Sequence, residues 1–373
     1  MKKLYIESLI IIILFCTYIF PTGLFNLPTS VPKFIFICSA FVLKFLYNIY
    51  NKSFKLNDVV FIIILGILAI ISNNINFLTF FPLILVQDVI DEKDKVKEYI
   101  KSSSILYICL CFTVIYSILF FGYSDRYAFT AIKEINQSGL AIFFLALMLN
   151  IKNRKIGVIT MAFGLLTFSR SYYLAVILFL LSKIKILKKT FTNKKIINFC
   201  NYMNLTIISS IILILLGIFY LNEYKNGNIF WGDEISNRLF NLLDYSNFFR
   251  FIAIINIVLI IKYFPSKMIF GITDFDFKII VKEISLDLSI PYKYVTPHNL
   301  FFSHLKMYGL FSIYEVFFVS NKLKQLITTD NFFIYIAIAA YSFILGAGLY
   351  SYWLFLAIFT FIINGGKNEN IIY

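Results

Sequence analysis

Charge is scarce in this chain: Asp, Glu, Lys and Arg make up 14% of its 373 residues, against 60% hydrophobic. Soluble globular domains carry about 25% charged residues, so this composition excludes an ordinary soluble fold and points to a polytopic membrane protein. Histidine is scarcer still, with two residues, His298 and His304. Of the cysteines, Cys16, Cys38, Cys109 and Cys111 lie inside apolar runs and Cys200 in a lysine-rich connection. That scatter supplies neither a disulfide framework nor a metal site. No P-loop, GxGxxG, HExxH or GxSxG pattern occurs, which removes the usual nucleotide, metallopeptidase and serine-hydrolase signatures. There is no low-complexity tail and no repeat at a solenoid period. No small-x-small cleavage site follows the apolar run that starts at Met1-Lys2-Lys3 and ends at Phe20, so that run is expected to remain as an uncleaved first span.

What the chain has in abundance is apolar segments. Runs at 4–20, 33–50, 57–72, 76–90, 103–121, 136–150, 155–168, 171–184, 204–221, 299–320, 332–348 and 351–364 predict an all-α, polytopic integral membrane protein of about twelve transmembrane helices. Several fall short of the ~20 residues that cross a bilayer at right angles, so the stretches 57–90 and 136–184 can include partly inserted or closely packed helices. The formal net charge of +14 suggests nucleic acid at first sight. The lysines, however, sit in short connections between apolar runs, where they set topology and meet anionic lipid; the bilayer is the expected partner and nucleic acid is not.

With the amino terminus in the cytoplasm, the cytoplasmic connections hold Lys52, Lys55, Lys93, Lys95, Lys97, Lys101, Lys152, Arg154, Lys155, Lys183, Lys185, Lys188, Lys189, Lys194, Lys195, Lys322 and Lys324. The opposite short connections hold only Lys33, Arg126, Lys133 and Arg170. Both termini are therefore expected in the cytoplasm. Residues 1–373 read as one membrane domain, within which 222–298 forms a large outer-loop subdomain. Inside that loop, the run Phe251 to Ile261 is too short to span and is bracketed by Arg250 and Lys262. It is expected to lie at the interface as a helix that Arg250 opens. Were it a span, His298 would move to the cytoplasmic face.

Three residues stand out chemically on this topology. Arg170, in Thr167-Phe168-Ser169-Arg170-Ser171, interrupts apolar sequence at a place where an unpartnered arginine costs roughly 2.5 kcal/mol or more; the plainer alternative is a snorkelling turn residue. Arg250 has a headgroup-binding arginine as its plainer alternative. His298 follows Pro297 where a loop enters a span, and a neutral capping histidine is the alternative there. His304 reads as packing. An imidazole titrating near neutrality can take a proton from an attacking hydroxyl, and guanidinium groups bind phosphates with two prongs. One base and two arginines at an outer membrane face therefore suit a substrate with a lipid tail, a pyrophosphate and a nucleophilic sugar. Asp274-Phe275-Asp276 offers two carboxylates but no third ligand at telling spacing, and no metal or cofactor is expected. Arg126, beside Asp125, reads as a solvated loop charge; with Arg238 it is kept as a supporting cation.

Pro297-His298-Asn299, nine residues, then Gly309 resembles the histidine motif of the O-antigen ligase and O-antigen polymerase superfamily of membrane glycosyltransferases. Phe168-Ser169-Arg170-Ser171 resembles the family's Ser-Arg turn, and Asn136-Gln137-Ser138-Gly139-Leu140-Ala141 its Asn-x-x-x-x-Ala helix start. Phe249-Arg250 followed by Gly271 is similar to its Arg-helix-Gly stretch. The resemblance covers roughly residues 120 to 320. It implies a large helical, GT-C-like glycosyltransferase without a nucleotide-sugar domain, acting on undecaprenyl-pyrophosphate-linked saccharides at the periplasmic face of the bacterial inner membrane. The roles it carries over are catalysis for His298 and pyrophosphate binding for Arg170 and Arg250, with Asn299 and Gly309 in support. A polymerase of lipopolysaccharide-type repeat units, inverting and metal-independent, with a chain-length regulator among its partners, is the expected activity. A ligase moving the glycan to a lipid core is the nearest alternative, and a polysaccharide flippase or exporter without chemistry is the next.

Overall fold

The computed structural model describes residues 56–71, 135–167, 169–182, 184, 193–229, 243–293, 295, 297, 299–328 and 331–344, with isolated positions between 35 and 50. Among the described residues the protein is all helical, with no strand. The apolar runs become α1 (Leu56–Ile71), α2 (Ile135–Lys152), α3 (Arg154–Phe163) with a 3-10 turn over Gly164–Thr167, and α4 (Arg170–Leu181). There follow α5 (Lys194–Phe199), α6 (Tyr202–Lys225), α7 (Tyr245–Tyr263), a 3-10 turn over Pro265–Met268, α8 (Asp274–Asp287), α9 (Leu300–Tyr308), α10 (Phe311–Leu326) and α11 (Phe332–Ile344). The runs at 4–20, 76–90, 103–121 and 351–364 lie outside the described residues.

Among the described residues, α6 is the one helix both long and apolar enough to cross a membrane. Its 24 residues rise about 36 Å at 1.5 Å each. Ile207, Ile208, Ile211, Ile212, Leu215, Ile218 and Phe219, recurring every three or four residues, form an exposed apolar stripe down one side. The opposite side meets α7. Tyr220 stacks on Phe251 at 4.8 Å and Tyr224 on Phe248 at 4.8 Å, while a Cβ on Gly217 would lie 2.6 Å from Ile255 Cγ1. The pairing of falling numbers with rising ones makes the two helices antiparallel, and Gly217 lets them approach closely.

Here the structure differs from the sequence expectation. The run 251–261 belongs to a 19-residue helix about 28 Å long, which starts six residues earlier at Tyr245 and is capped by Asp244, whose carboxylate accepts the Asn247 N–H at 2.7 Å. Arg250 thus sits in the second turn of α7 and does not open it. The helix also lies against α6 and is buried through Phe248, Ile252, Ala253, Ile254, Ile257 and Ile260. An apolar window shorter than a span missed it because the flanking Tyr245, Ser246 and Asn247 are polar yet helical once capped.

The chain then comes back. Asp274, at the start of α8, pairs with Lys306, whereas Leu288, Ile290 and Val295 beyond its end pack with Tyr220, Tyr224 and Phe248. α7 descends alongside α6, α8 climbs back, and α9 descends again. The His298 neighbourhood therefore lies at the Lys225 end of α6 although α7 runs the length of that helix. A core of Ile254, Ile257, Ile260, Met268, Ile272, Phe277, Ile280, Val281, Ile284, Phe302 and Leu305 joins the three.

The expected single span over 299–320 is two helices. His304 and Glu315 would be about 16 Å apart along an unbroken helix, yet the imidazole Nδ1–H donates to the Glu315 carboxylate at 2.7 and 2.9 Å. Gly309 makes the fold-back, with φ 58° and ψ −138°, a region essentially reserved for glycine.

Candidate functional site

His298, Arg126 and Arg238 lie outside the described residues; the chain on either side of His298 is described. Pro297 is buried, and its carbonyl accepts the Ser303 hydroxyl at 2.7 Å. Asn299 is fully buried, and its side-chain oxygen accepts the Phe302 N–H at 3.0 Å, making it the N-cap of α9. Both neighbours of His298 are thereby tied to the first turn of one helix. The Asn299 carboxamide oxygen satisfies one of the donors that a helix start leaves open.

The far end of α9 is fixed by a backbone crossing. The Ile272 N–H donates to the Lys306 carbonyl at 2.7 Å and the Leu310 N–H to the Ile269 carbonyl at 3.2 Å. Gly271 (φ 84°) and Gly309 (φ 58°) meet at this point. A Cβ on Gly309 would overlap the Met268 and Ile269 carbonyl oxygens and stand 2.6 Å from the Gly271 nitrogen, and one on Gly271 would overlap the Met307 carbonyl. The two glycines singled out in separate stretches of the sequence are in backbone contact. No side chain fits there, which is the physical reason both are glycine.

Arg170 is the first residue of α4. Ser169, fully buried, caps that helix through its hydroxyl, which accepts the Tyr172 N–H at 3.4 Å. Tyr172 locks the preceding turn: its hydroxyl donates to the Met161 carbonyl at 2.5 Å and its ring fills the space over Gly164. The turn predicted at Ser169-Arg170-Ser171 is thus a capped helix start, with Arg170 as its first residue. Arg250 is half-buried on α7. The helices carrying the two arginines belong to neighbouring groups: α4 packs on α2 and α11, α7 on α6, α8 and α9, and α11 touches both α6 and α9.

Two contacts between titratable side chains, each involving α9, were not assigned functions from sequence. The His304–Glu315 pair is 1% exposed on both sides, with Tyr308 edge-on to the imidazole at 5.2 Å. Lys306, 3% exposed, is paired with Asp274, and its ammonium lies 4.6 Å over the Phe277 ring. Asp274 is thereby engaged, and among the described residues no group of three His, Cys, Asp or Glu could hold a metal. The sequence signal for both contacts was ionisable residues in an apolar stretch interrupted by a glycine; their partners became visible only once the stretch folded back.

Compared with protein-family models, with curated proteins and with solved structures, the chain matches none.

Proposed function

We propose that this chain is a polysaccharide polymerase of the O-antigen type in the bacterial cytoplasmic membrane, with about twelve membrane helices in a GT-C-like arrangement and both termini in the cytoplasm. Its active site faces the periplasm and joins undecaprenyl-pyrophosphate-linked repeat units. The observation that carries this reading is the meeting of Gly271 and Gly309. It ties the stretch that opens with Arg250 to the stretch that opens with His298, two parts of the resemblance that this reading assigns to one site. The apolar stripe on α6 and the exposed Val59, Val60, Ile63, Ile64, Ile67, Ile70 and Ile71 of α1 support a lipid surround.

In this reading the acceptor sugar hydroxyl attacks the anomeric carbon of the donor glycan while His298 takes its proton. The bond from that carbon to the pyrophosphate oxygen breaks, the configuration inverts, and undecaprenyl pyrophosphate leaves. Arg170 and Arg250 hold the pyrophosphate and offset the charge that grows on it, an effect worth several kcal/mol in a site screened from water. The arginines supply the charge a metal would otherwise supply. A chain-length regulator is the expected protein partner.

The test is the glycan ladder of a strain carrying His298→Ala, Arg170→Ala or Arg250→Ala, each with the protein still in the membrane. Long chains vanish and a single repeat unit on the acceptor remains; complete loss of glycan from the acceptor identifies a ligase. Normal chain length in His298→Ala removes the general base and with it the mechanism. A cysteine placed at Asn228 is labelled from outside the cell, and labelling from the cytoplasm alone inverts the topology. One observation favours a second reading, an exporter: the buried His304–Glu315 pair resembles the intramembrane ionisable pairs of transporters. In that case all three substitutions leave chain length unchanged and block glycan export.

A further inference from the structure

At the Lys225 end of α6 lies a cavity of about 550 Å³ lined by Tyr224, Lys225, Gly227, Ile229, Tyr245 and Ser289. We propose that it is a saccharide subsite holding one or two sugar rings of the glycan that is extended; this deepens the polymerase reading and rests on it.

Its size falls in the range of small-molecule pockets, roughly 300–1,000 Å³. Among the described residues its lining is two tyrosines, a serine, a lysine and a glycine, with Ile229 as the sole aliphatic side chain. That lining suits a ligand with both apolar ring faces and many hydroxyls, and serves a lipid tail poorly. The aromatic wall is held in place: Tyr224 stacks on Phe248 and meets Tyr245 edge-on at 6.4 Å, and Tyr245 packs on Phe249 at 5.6 Å. Rings fixed before binding lose little freedom on binding.

The charge pattern argues against phosphate here. Two helices end at the cavity, α6 and α8, and each presents the negative end of its dipole. The start of α7, also at the cavity, is capped by the Asp244 carboxylate. Among the described lining residues Lys225 is the single cation. A neutral, hydroxyl-rich ligand fits this balance better than a dianion.

The two helix ends supply the sharpest clue. Both close with paired 6→1 and 5→2 backbone bonds. In α6 these run from the Asn228 N–H to the Glu223 carbonyl and from the Gly227 N–H to the Tyr224 carbonyl, each 3.0 Å. In α8 they run from the Ile290 N–H to the Ser285 carbonyl at 3.0 Å and from the Ser289 N–H to the Leu286 carbonyl at 3.1 Å. The left-handed position of this motif usually takes glycine. In α6 it is Gly227, at φ 75°; in α8 it is Ser289, at φ 54°, the single non-glycine residue with positive φ among the described residues. A polar residue that strains the backbone while lining the cavity is placed as a ligand contact is placed.

The experiment uses the full chain in lipid nanodiscs. The probe is the free repeat-unit oligosaccharide, cut from the parent strain's surface glycan, with inorganic pyrophosphate as competitor. Binding is read by calorimetry and by saturation transfer from protein rings to sugar protons. The oligosaccharide is expected to bind without displacement by pyrophosphate. Tyr224→Leu and Tyr245→Leu weaken it at least tenfold, and Ser289→Gly weakens it roughly three- to tenfold, the loss of one hydrogen bond, while the melting temperature stays level or rises. A purely structural Ser289 would raise the melting temperature and leave binding unchanged, which overturns the proposal. So does absence of oligosaccharide binding, or its displacement by pyrophosphate. If the arginine and histidine variants grow normal chains while oligosaccharide binding and its Ser289 dependence persist, the polymerase reading fails and the subsite stands. If chain growth needs those residues but binding ignores Tyr224, Tyr245 and Ser289, the subsite fails alone.

Discussion

Replacing Gly309 by alanine isolates the backbone crossing that ends α9. Two contributions add. Holding a non-glycine residue at φ 58°, ψ −138° costs about 1–3 kcal/mol. The new Cβ also overlaps the Met268 and Ile269 carbonyl oxygens and the Gly271 nitrogen, all backbone, so the two chain segments must part. Parting them puts at risk the bonds Ile272 N–H to Lys306 carbonyl and Leu310 N–H to Ile269 carbonyl, each worth about 1 kcal/mol. The sum is about 3–5 kcal/mol, several degrees in melting temperature. Two other glycines serve as controls. Gly227→Ala has a positive φ but open space around the new Cβ, so it costs only the conformational part, about 1–2 kcal/mol. Gly66→Ala, inside α1 with nothing within 4 Å, is neutral or stabilising by up to about 1 kcal/mol. Fluorescence-monitored thermal unfolding of the purified protein in nanodiscs measures all three. The reasoning is refuted if Gly309→Ala melts no lower than Gly227→Ala.

The remaining predictions concern groups around α9. Asp274→Ala leaves the buried Lys306 ammonium without its carboxylate; because Asp274 itself is 71% exposed, the loss is put at about 1–3 kcal/mol. Lys306→Met keeps the packing over Phe277 and removes the need for a counter-charge, so it melts above Asp274→Ala; the reverse order would show that the pair is not what holds α8 to α9. Glu315→Ala strips the acceptor from a fully buried imidazole and costs about 3–5 kcal/mol, whereas Glu315→Gln retains an oxygen for the Nδ1–H and recovers part of it; equal melting of the two would discount the hydrogen bond. Asn299→Ala removes the α9 cap for about 1 kcal/mol, and Asn299→Asp restores it. In the polymerase reading Asn299→Ala also shortens the glycan ladder, by loosening the turn beside His298, and an unchanged ladder would leave Asn299 a purely structural role.

Along the chain, what could be read in advance followed from local rules. Apolar runs placed α1, α2, α4, α6 and α11 to within a few residues, since a helix of such composition needs no distant partner to be recognised. Asn153, Ser169, Asn193, Asn201, Thr273 and Asn299 all cap helices through their side chains, as residues of their type do. The two left-handed glycines of the crossing were already marked out, each in its own stretch. The helical extent of α7 was hidden, because its first turn is polar and becomes helical only through the Asp244 cap and the packing of Phe248 on Tyr224. The break in 299–320 was hidden as well, because glycine is common within apolar helices and nothing local announces a positive φ.

The amino-acid sequence by itself determined that this is a helical chain with little charge, where its long apolar helices lie, and which rare polar residues interrupt them. Only the tertiary structure decided which of these residues meet. Contacts such as Gly271 with Gly309, His304 with Glu315, and Lys306 with Asp274 depend on where the chain reverses. Reversal depends on backbone clearance and on the carbonyls and amides left open at helix ends, which composition and periodicity do not encode.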